Sequence, residues 1–118
     1  MSRFRQLFES AGNDYDALLG RTDGDTELIN ELMRMFVDDM SARQLCAALE
    51  AGDAATAFRA AHSLKGSSGM LGMTALHKNV CELTEALRRG DIASAKALYP
   101  ASCKEYDAVI SIIKDSIC

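Results

Sequence analysis

The sequence predicts an all-α protein: an antiparallel up-down four-helix bundle with a short extra N-terminal helix. Hydrophobic residues make up 48% of the 118 residues, and the chain has only one proline and eight glycines. Apolar residues also recur at spacings of three and four along most of the chain, as they do on helices. No alternating pattern typical of strands competes with this periodicity. The length fits a single domain, residues 1–118, around one core.

The first half of the chain is predicted to contain two short helical segments and one long helix. The short segments are a helix over residues 2–11 and a helical piece around Tyr15–Leu19. The long helix runs from about Thr26 to Ala51, and Asp25 or Thr26 caps its beginning. Its apolar side is formed by Leu28, Leu32, Met35, Phe36, Met40, Leu45 and Leu49.

Gly52-Asp53 and Gly90-Asp91 each combine the end of one helix with the beginning of the next. Glycine adopts the left-handed conformation that often closes a helix, and aspartate caps the following N-terminus. These turns delimit a helix over about 53–70, one from Thr74 to Arg89, and a last one that begins after Asp91. Pro100 should bend the last helix or begin a new segment, because proline removes a helical hydrogen bond.

Composition excludes several classes of partner. The formal net charge is −4 and there is no tryptophan, so we expect no nucleic-acid binding and no basic membrane anchoring. The N-terminus has no apolar run long enough for a signal peptide, and no stretch approaches the roughly 20 apolar residues of a membrane span. We therefore expect a cytoplasmic protein. The Met1 start without a flanking linker favours a free-standing one.

The four cysteines, Cys46, Cys81, Cys103 and Cys118, include no C-x-x-C pair. We interpret them as small buried hydrophobes or free thiols, since a chain with this much core does not need a disulfide framework. The six methionines are expected to fill the core, although Met70 is also expected to reach a partner surface.

The helix over about 53–70 is predicted to expose His62. On a wheel with about 100° per residue, the core face lies opposite this histidine. That core face comprises Ala57, Ala60, Leu64, Ser68 and Leu71. The stripe around His62 comprises Ala55, Phe58, Arg59, Lys65, Gly66 and Gly69. A glycine inside a helix costs about 0.5–1 kcal/mol relative to alanine, so Gly66 and Gly69 are expected to clear the surface for another protein.

Lys65 stands one turn from His62 on the same face. A free imidazole, with an ordinary pKa of about 6.5, is largely neutral near neutral pH and is then nucleophilic. An ammonium group nearby can stabilise negative charge placed on the ring, and Arg59 adds to the same field. The exposed stripe is therefore cationic on an acidic protein.

Residues 61–72, AHSLKGSSGMLG, resemble the signature A-H-x-L-K-G-[SA]-[SA]-x-x-[LIV]-G of the histidine phosphotransfer (HPt) domains of bacterial two-component phosphorelays. The likeness extends through nearly the whole chain, and residues 1–12 are the least covered. Further positions that fit the pattern are Arg21, Gly24, Asp25, Phe36, Gly52-Asp53, Leu76, Cys81, Gly90-Asp91 and Tyr106.

This resemblance implies that His62 is phosphorylated, that Lys65 assists, and that receiver domains dock over the two glycines. The expected docking surface comprises Phe58, Arg59, Gly66, Gly69 and Met70. In relatives, a polar residue of the helix that corresponds to the one predicted from Thr74 to Arg89 often holds the second nitrogen of the imidazole. Thr84 or Arg88 is expected to do so here.

The chain is expected to be a phosphoryl carrier and not an enzyme, because it contains neither a glycine-rich nucleotide loop nor a carboxylate cluster for magnesium. Mg²⁺ and the acceptor aspartate are expected on the partner receiver domain only, and no cofactor or metal on this chain. The expected partners are response-regulator receiver domains and a hybrid sensor histidine kinase, bound by a monomer.

Two other classes of function have requirements that can be compared with this sequence. A non-catalytic bundle that only binds receiver domains would need a substituted His62 or a blocked stripe. A metal- or haem-binding bundle would need ligands that face inward from facing helices. His77 and Cys81 are four residues apart, but two possible ligands do not make a metal site. A boundary-face histidine beside a buried cysteine is the simpler interpretation.

Overall fold

The structure is a computed structural model that describes residues 2–117, and these residues form seven α-helices without a strand. The helices are α1 (Arg3–Ser10), α2 (Tyr15–Arg21), α3 (Thr26–Asp38), α4 (Ser41–Ala51), α5 (Ala54–Met70), α6 (Thr74–Arg88) and α7 (Ile92–Ser116). The prediction of an all-α fold is confirmed.

The long helices form an antiparallel bundle in which α3 and α4 together occupy the first position. α5 packs between α4 and α6, α6 packs against α7, and α7 returns to contact α3 and α4. The short helices α1 and α2 lie beside the bundle, where α1 contacts α7 and α2 contacts α3. The molecule measures 43 × 24 × 21 Å, so the bundle is elongated along its helices.

The two glycine–aspartate turns form as predicted. Gly52 has a φ of +70° and Gly90 a φ of +72°, which is the left-handed conformation that glycine adopts without strain. The Asp53 carboxylate accepts a hydrogen bond from the Thr56 amide at 3.1 Å, and Asp91 accepts one from the Ser94 amide at 3.0 Å. Each turn thus ends one helix and caps the next, which brings neighbouring helices into antiparallel contact.

The prediction of a single helix from Thr26 to Ala51 is wrong, because the helix is interrupted between α3 and α4. Asp39 is extended, with a ψ of 132°, and its carboxylate accepts a hydrogen bond from the Ser41 amide at 2.7 Å. An aspartate that bonds to the backbone two residues later competes with the helical hydrogen-bond pattern. The Ser41 hydroxyl also donates to the hydroxyl of Ser63 at 3.1 Å, which ties the beginning of α4 to α5.

The apolar side predicted for α3 is rotated relative to the one observed. Leu28 is 39% exposed and Met35 is 67% exposed. The core-facing side chains of α3 are instead Ile29, Met33 and Phe36. Both sides of α3 carry apolar residues, so spacing alone did not determine which side packs inward.

The expectation that the methionines fill the core is wrong for Met35 and Met40. Met33 and Met73 are fully buried, whereas Met35, Met40 and Met70 are each at least half exposed. Met1 lies outside the described residues.

α7 continues through Pro100, so the proline does not begin a new segment. Pro100 has no amide to donate to the carbonyl of Lys96, four residues earlier. Pro100 and Lys96 are both exposed, so water can bond to this carbonyl instead. Cys46, Cys81 and Cys103 are half-buried free thiols, and Cys118 lies outside the described residues. Within residues 2–117, no helix combines the length and the apolar character that crossing a membrane requires.

Candidate functional site

α5 exposes His62 and buries the opposite side of the helix, as the wheel predicts. Its buried side chains include Ala57, Ala60, Leu64 and Ser68, and Leu71 is buried just beyond its end. His62 is exposed. The imidazole is therefore presented to solvent or to a partner and does not face the interior, as a metal- or haem-binding bundle would require.

The His62 ring lies against an aromatic neighbour on the same helix. Its centroid is 5.9 Å from that of Phe58, with the two ring planes inclined by 25°. The guanidinium carbon of Arg88, on α6, lies 5.1 Å from the Phe58 centroid. Arg88 also pairs with Glu85, with 3.3 Å between Nε and Oε1. The side chains of α5 and α6 thus form a continuous stack that ends at the imidazole.

The expectation that Thr84 or Arg88 holds the second nitrogen of His62 is wrong. Thr84 is fully buried, and its hydroxyl donates to the Val80 carbonyl at 2.6 Å. Arg88 is engaged with Phe58 and Glu85 and makes no hydrogen bond to the imidazole. Among the described residues, the His62 ring therefore has a stacked neighbour in Phe58 and no hydrogen-bond partner on α6.

Lys65 and Arg59 supply the cationic character of this surface. Lys65 is half-buried one turn beyond His62, and none of the ion pairs among residues 2–117 involves it. Arg59 is exposed and donates to the Thr56 hydroxyl at 3.2 Å. Both charges stand within one turn of the imidazole on its own helix, where they favour a negatively charged group on the ring.

The two glycines of the stripe have different surroundings. A Cβ placed on Gly66 would meet no atom within 4 Å, so that glycine is open to solvent as predicted. A Cβ placed on Gly69 would lie 2.8 Å from Cε1 and 2.9 Å from Nδ1 of His77. The expectation that both glycines serve to clear the surface is therefore incomplete for Gly69, which also accommodates the His77 ring.

His77 connects α6 to α5. Its Nδ1 lies 3.0 Å from the carbonyl oxygen of Lys65, and since a carbonyl only accepts, Nδ1 donates this bond. In the neutral ring Nε2 is then an acceptor, and the Cys81 thiol stands 3.4 Å from it. Within residues 2–117, no three side chains from His, Cys, Asp and Glu lie close enough together to hold a metal ion.

The end of α5 is held by residues that sequence analysis did not connect to it. The Arg21 guanidinium donates to the carbonyl oxygen of Met70 at 2.7 Å, and the Asp14 amide donates to that of Gly72 at 2.9 Å. The carbonyls at the end of a helix lack helical partners, so Arg21 caps α5. Arg21 fitted the family pattern, but no local signal links it to a helix nearly fifty residues away.

A protein-family model, that of the Hpt domain, matches residues 31–112. The chain belongs to the Hpt domain family. The match begins within α3 and ends within α7, so it includes the bundle around His62 and leaves out α1 and α2.

Individual proteins resemble this Hpt domain over most of its length. The crystal structure of histidine-containing phosphotransfer protein B from Pseudomonas aeruginosa PAO1 superposes with a TM-score of 0.78 at 33% identity, covering 87% of this chain and 91% of the other. The phosphorelay intermediate protein rdeA of Dictyostelium discoideum is 26% identical over 104 residues, which are 86% of this chain. This chain spans only 41% of that protein's length.

In this Hpt domain, the residues predicted to dock a partner lie beside His62 and are mostly accessible. Arg59 and Gly66 are exposed, Met70 is 55% exposed, and Phe58 and Gly69 are half-buried. The structure brings these five residues to one side of α5. Their role in docking stays a prediction.

Proposed function

We propose that this Hpt domain carries a phosphoryl group on His62 in a two-component phosphorelay. It accepts the group from a receiver-domain aspartate, or from a hybrid sensor histidine kinase, and passes it to a response regulator. The observation that carries the proposal is the exposed His62 of an Hpt family member, with Lys65 one turn away and the surface over Gly66 open.

The chemistry requires little more than an accessible nucleophile on this chain. A ring nitrogen of His62 attacks the phosphorus of the aspartyl phosphate, so that a P–N bond forms and the P–O bond to the carboxylate breaks. The ring proton is released, and the carboxylate leaves as an anion. The reverse sequence delivers the phosphoryl group to the next aspartate. Lys65 and Arg59 stabilise the charge of the phosphoryl group while it resides on the imidazole.

The receiver domain supplies the remaining parts of the site in this proposal: the aspartate and the Mg²⁺ ion that phosphoryl transfer uses. The Hpt domain then acts as a carrier with no cofactor of its own, working as a cytoplasmic monomer. The names of the Pseudomonas and Dictyostelium relatives, a phosphotransfer protein and a phosphorelay intermediate, support the same role for this chain.

Phosphoryl labelling tests the proposal. A phosphorylated receiver domain, or a hybrid kinase with ATP, is expected to label the parent protein on one residue, and the label should be lost in acid and survive base, as a phosphoramidate does. His62→Gln should accept no label, and His77→Gln should accept it. Labelling of His62→Gln would contradict the assignment. A parent protein that binds receiver domains without accepting label would instead be a non-catalytic adaptor.

A further inference from the structure

His62 has an aromatic neighbour four residues earlier, and no hydrogen bond among the described residues fixes its ring. Residues at i and i+4 are neighbours on a helix surface, and the 5.9 Å separation of the Phe58 and His62 centroids lies within the range of offset-stacked pairs, about 4.5–7 Å. Such a stack restricts the rotation of the imidazole. Thr84 is buried and bonded to Val80, so it does not reach the His62 ring. Phe58 is the side chain that contacts this ring.

Phe58 is itself held from the neighbouring helix. The guanidinium of Arg88 is 5.1 Å from the Phe58 centroid, which is close enough for a cation–π attraction. Glu85 pairs with the Arg88 Nε and limits where the guanidinium can move. The order Glu85, Arg88, Phe58, His62 runs from α6 to the exposed face of α5.

We propose that Phe58 is a positioning residue for His62, and that Arg88 acts on His62 through Phe58. This inference rests on the phosphotransfer function proposed above. In-line attack needs the reacting atoms within about 3–3.5 Å of each other and aligned. A stacked imidazole samples fewer orientations, because one ring face stays against Phe58 and the nitrogen-bearing edge stays free.

The orientation of the ring is measurable before any reaction. Protons near an aromatic face are shielded by its ring current, so the carbon-bound ring protons of His62 should shift in the NMR spectrum when the phenyl ring is removed. Phe58→Leu, which keeps an apolar side chain of similar size, should move these signals toward the values of an exposed histidine. Phe58→Tyr should leave them close to those of the parent. Unchanged His62 signals in Phe58→Leu would overturn the proposal.

A small phosphoryl donor separates positioning from docking, since Phe58 also lies on the predicted docking surface. Phosphoramidate needs no docked partner: its P–N bond breaks, a P–N bond to the imidazole forms, and ammonia leaves with the ring proton. Phe58→Leu should slow this reaction by about two- to tenfold, the range that an aromatic pair contributes. Phe58→Tyr should react like the parent. A Phe58→Leu variant that is impaired only with a receiver domain, through a raised KM, would show docking alone and overturn the proposal.

Arg88→Met tests the second half of the inference, with Arg89→Met as its matched control on the adjacent exposed position. Arg88→Met should move the His62 signals in the same direction as Phe58→Leu and by less. In Phe58→Leu/Arg88→Met, the second substitution should add nothing to the first. Additive shifts, or equal shifts in Arg89→Met, would contradict an action of Arg88 through Phe58. Failure of the parent itself to accept phosphate would count against the proposed function and leave the NMR result to decide the positioning.

Discussion

The imidazole of His77 occupies the space that a side chain on Gly69 would need. The same ring donates from Nδ1 to the Lys65 carbonyl and approaches the Cys81 thiol with Nε2. A shift of the ring that made room at Gly69 would therefore strain both contacts. Gly69 is small because α6 packs closely against it, whereas Gly66, one turn earlier, meets nothing.

The two glycines should respond oppositely to the same substitution. Gly66→Ala should raise the free energy of unfolding by about 0.5–1 kcal/mol, because alanine is the better helix former on an open surface. Gly69→Ala should lower it by about 1–3 kcal/mol, because the new methyl group overpacks against His77. Thermal and urea melts of both variants measure the difference.

A double variant identifies the cause of the Gly69 effect. If the His77 ring is the obstacle, Gly69→Ala should cost less stability in a His77→Ala background than in the parent. Equal costs in the two backgrounds would assign the destabilisation to something other than this contact.

A long side chain at Gly66 should separate folding from partner access. Gly66→Gln should fold, since the position is open, and should react with phosphoramidate at close to the parent rate. It should slow transfer from a phosphorylated receiver, because the glutamine stands on the surface that the receiver must approach. Gly66→Ala is the control for mere loss of glycine. Receiver transfer at the parent rate in Gly66→Gln would show that Gly66 does not provide access.

Truncating Lys65 should slow transfer without disturbing the fold. The hydrogen bond between His77 and Lys65 uses the backbone carbonyl of Lys65, so Lys65→Ala keeps that bond and removes the ammonium. Hydrogen bonds to charged groups contribute about 1.5–3 kcal/mol, so transfer should slow by at least about tenfold. Lys65→Arg should be intermediate, because the charge remains and the donor geometry changes. Lys78→Ala, at an exposed position of α6, is the control, and parent kinetics in Lys65→Ala would remove this lysine from the mechanism.

Acid should weaken the two capped turns. Hydrogen bonds from the Thr56 hydroxyl and amide lower the pKa of Asp53 below its ordinary value of 3.8, and those from Ser94 lower the pKa of Asp91 likewise. A carboxyl whose pKa is lower in the folded state stabilises the fold above the unfolded pKa, and this stability is lost as the pH falls through the folded pKa. Melts from pH 6 to pH 2 should therefore show a loss below about pH 4, and Asp53→Asn/Asp91→Asn should reduce that loss. An unchanged acid dependence in the double variant would show that Asp53 and Asp91 do not cause the loss of stability.

Features with a local physical cause could be predicted from the sequence. Gly52-Asp53 and Gly90-Asp91 carry their turn chemistry within two residues, and the exposure of His62 follows from the helical period. The helix interruption at Asp39 also has a local signal, an aspartate two residues before Ser41. The apolar spacing continues past Asp39, however, and by itself predicts one uninterrupted helix.

The errors arose where the outcome depends on what another helix places nearby. The crowding of Gly69 depends on His77 of α6, and the burial of Thr84 depends on how far α6 is rotated toward the core. Spacing predicts that Leu28 and Met35 face inward, but α3 has apolar residues on both sides and the other side packs against the core. The spacing of residues within one helix does not show which side chains of another helix they will contact.

The bonds from Arg21 to Met70 and from Asp14 to Gly72 join the first two dozen residues to the segment that follows His62. Those early residues precede the part of the chain that defines family membership, residues 31–112. The shared family region alone therefore lacks two of the hydrogen bonds that hold the end of α5. A fragment of residues 31–112 would keep His62, Lys65 and Gly66. It would lack the partners of the last α5 carbonyls, so we expect the end of this helix to fray.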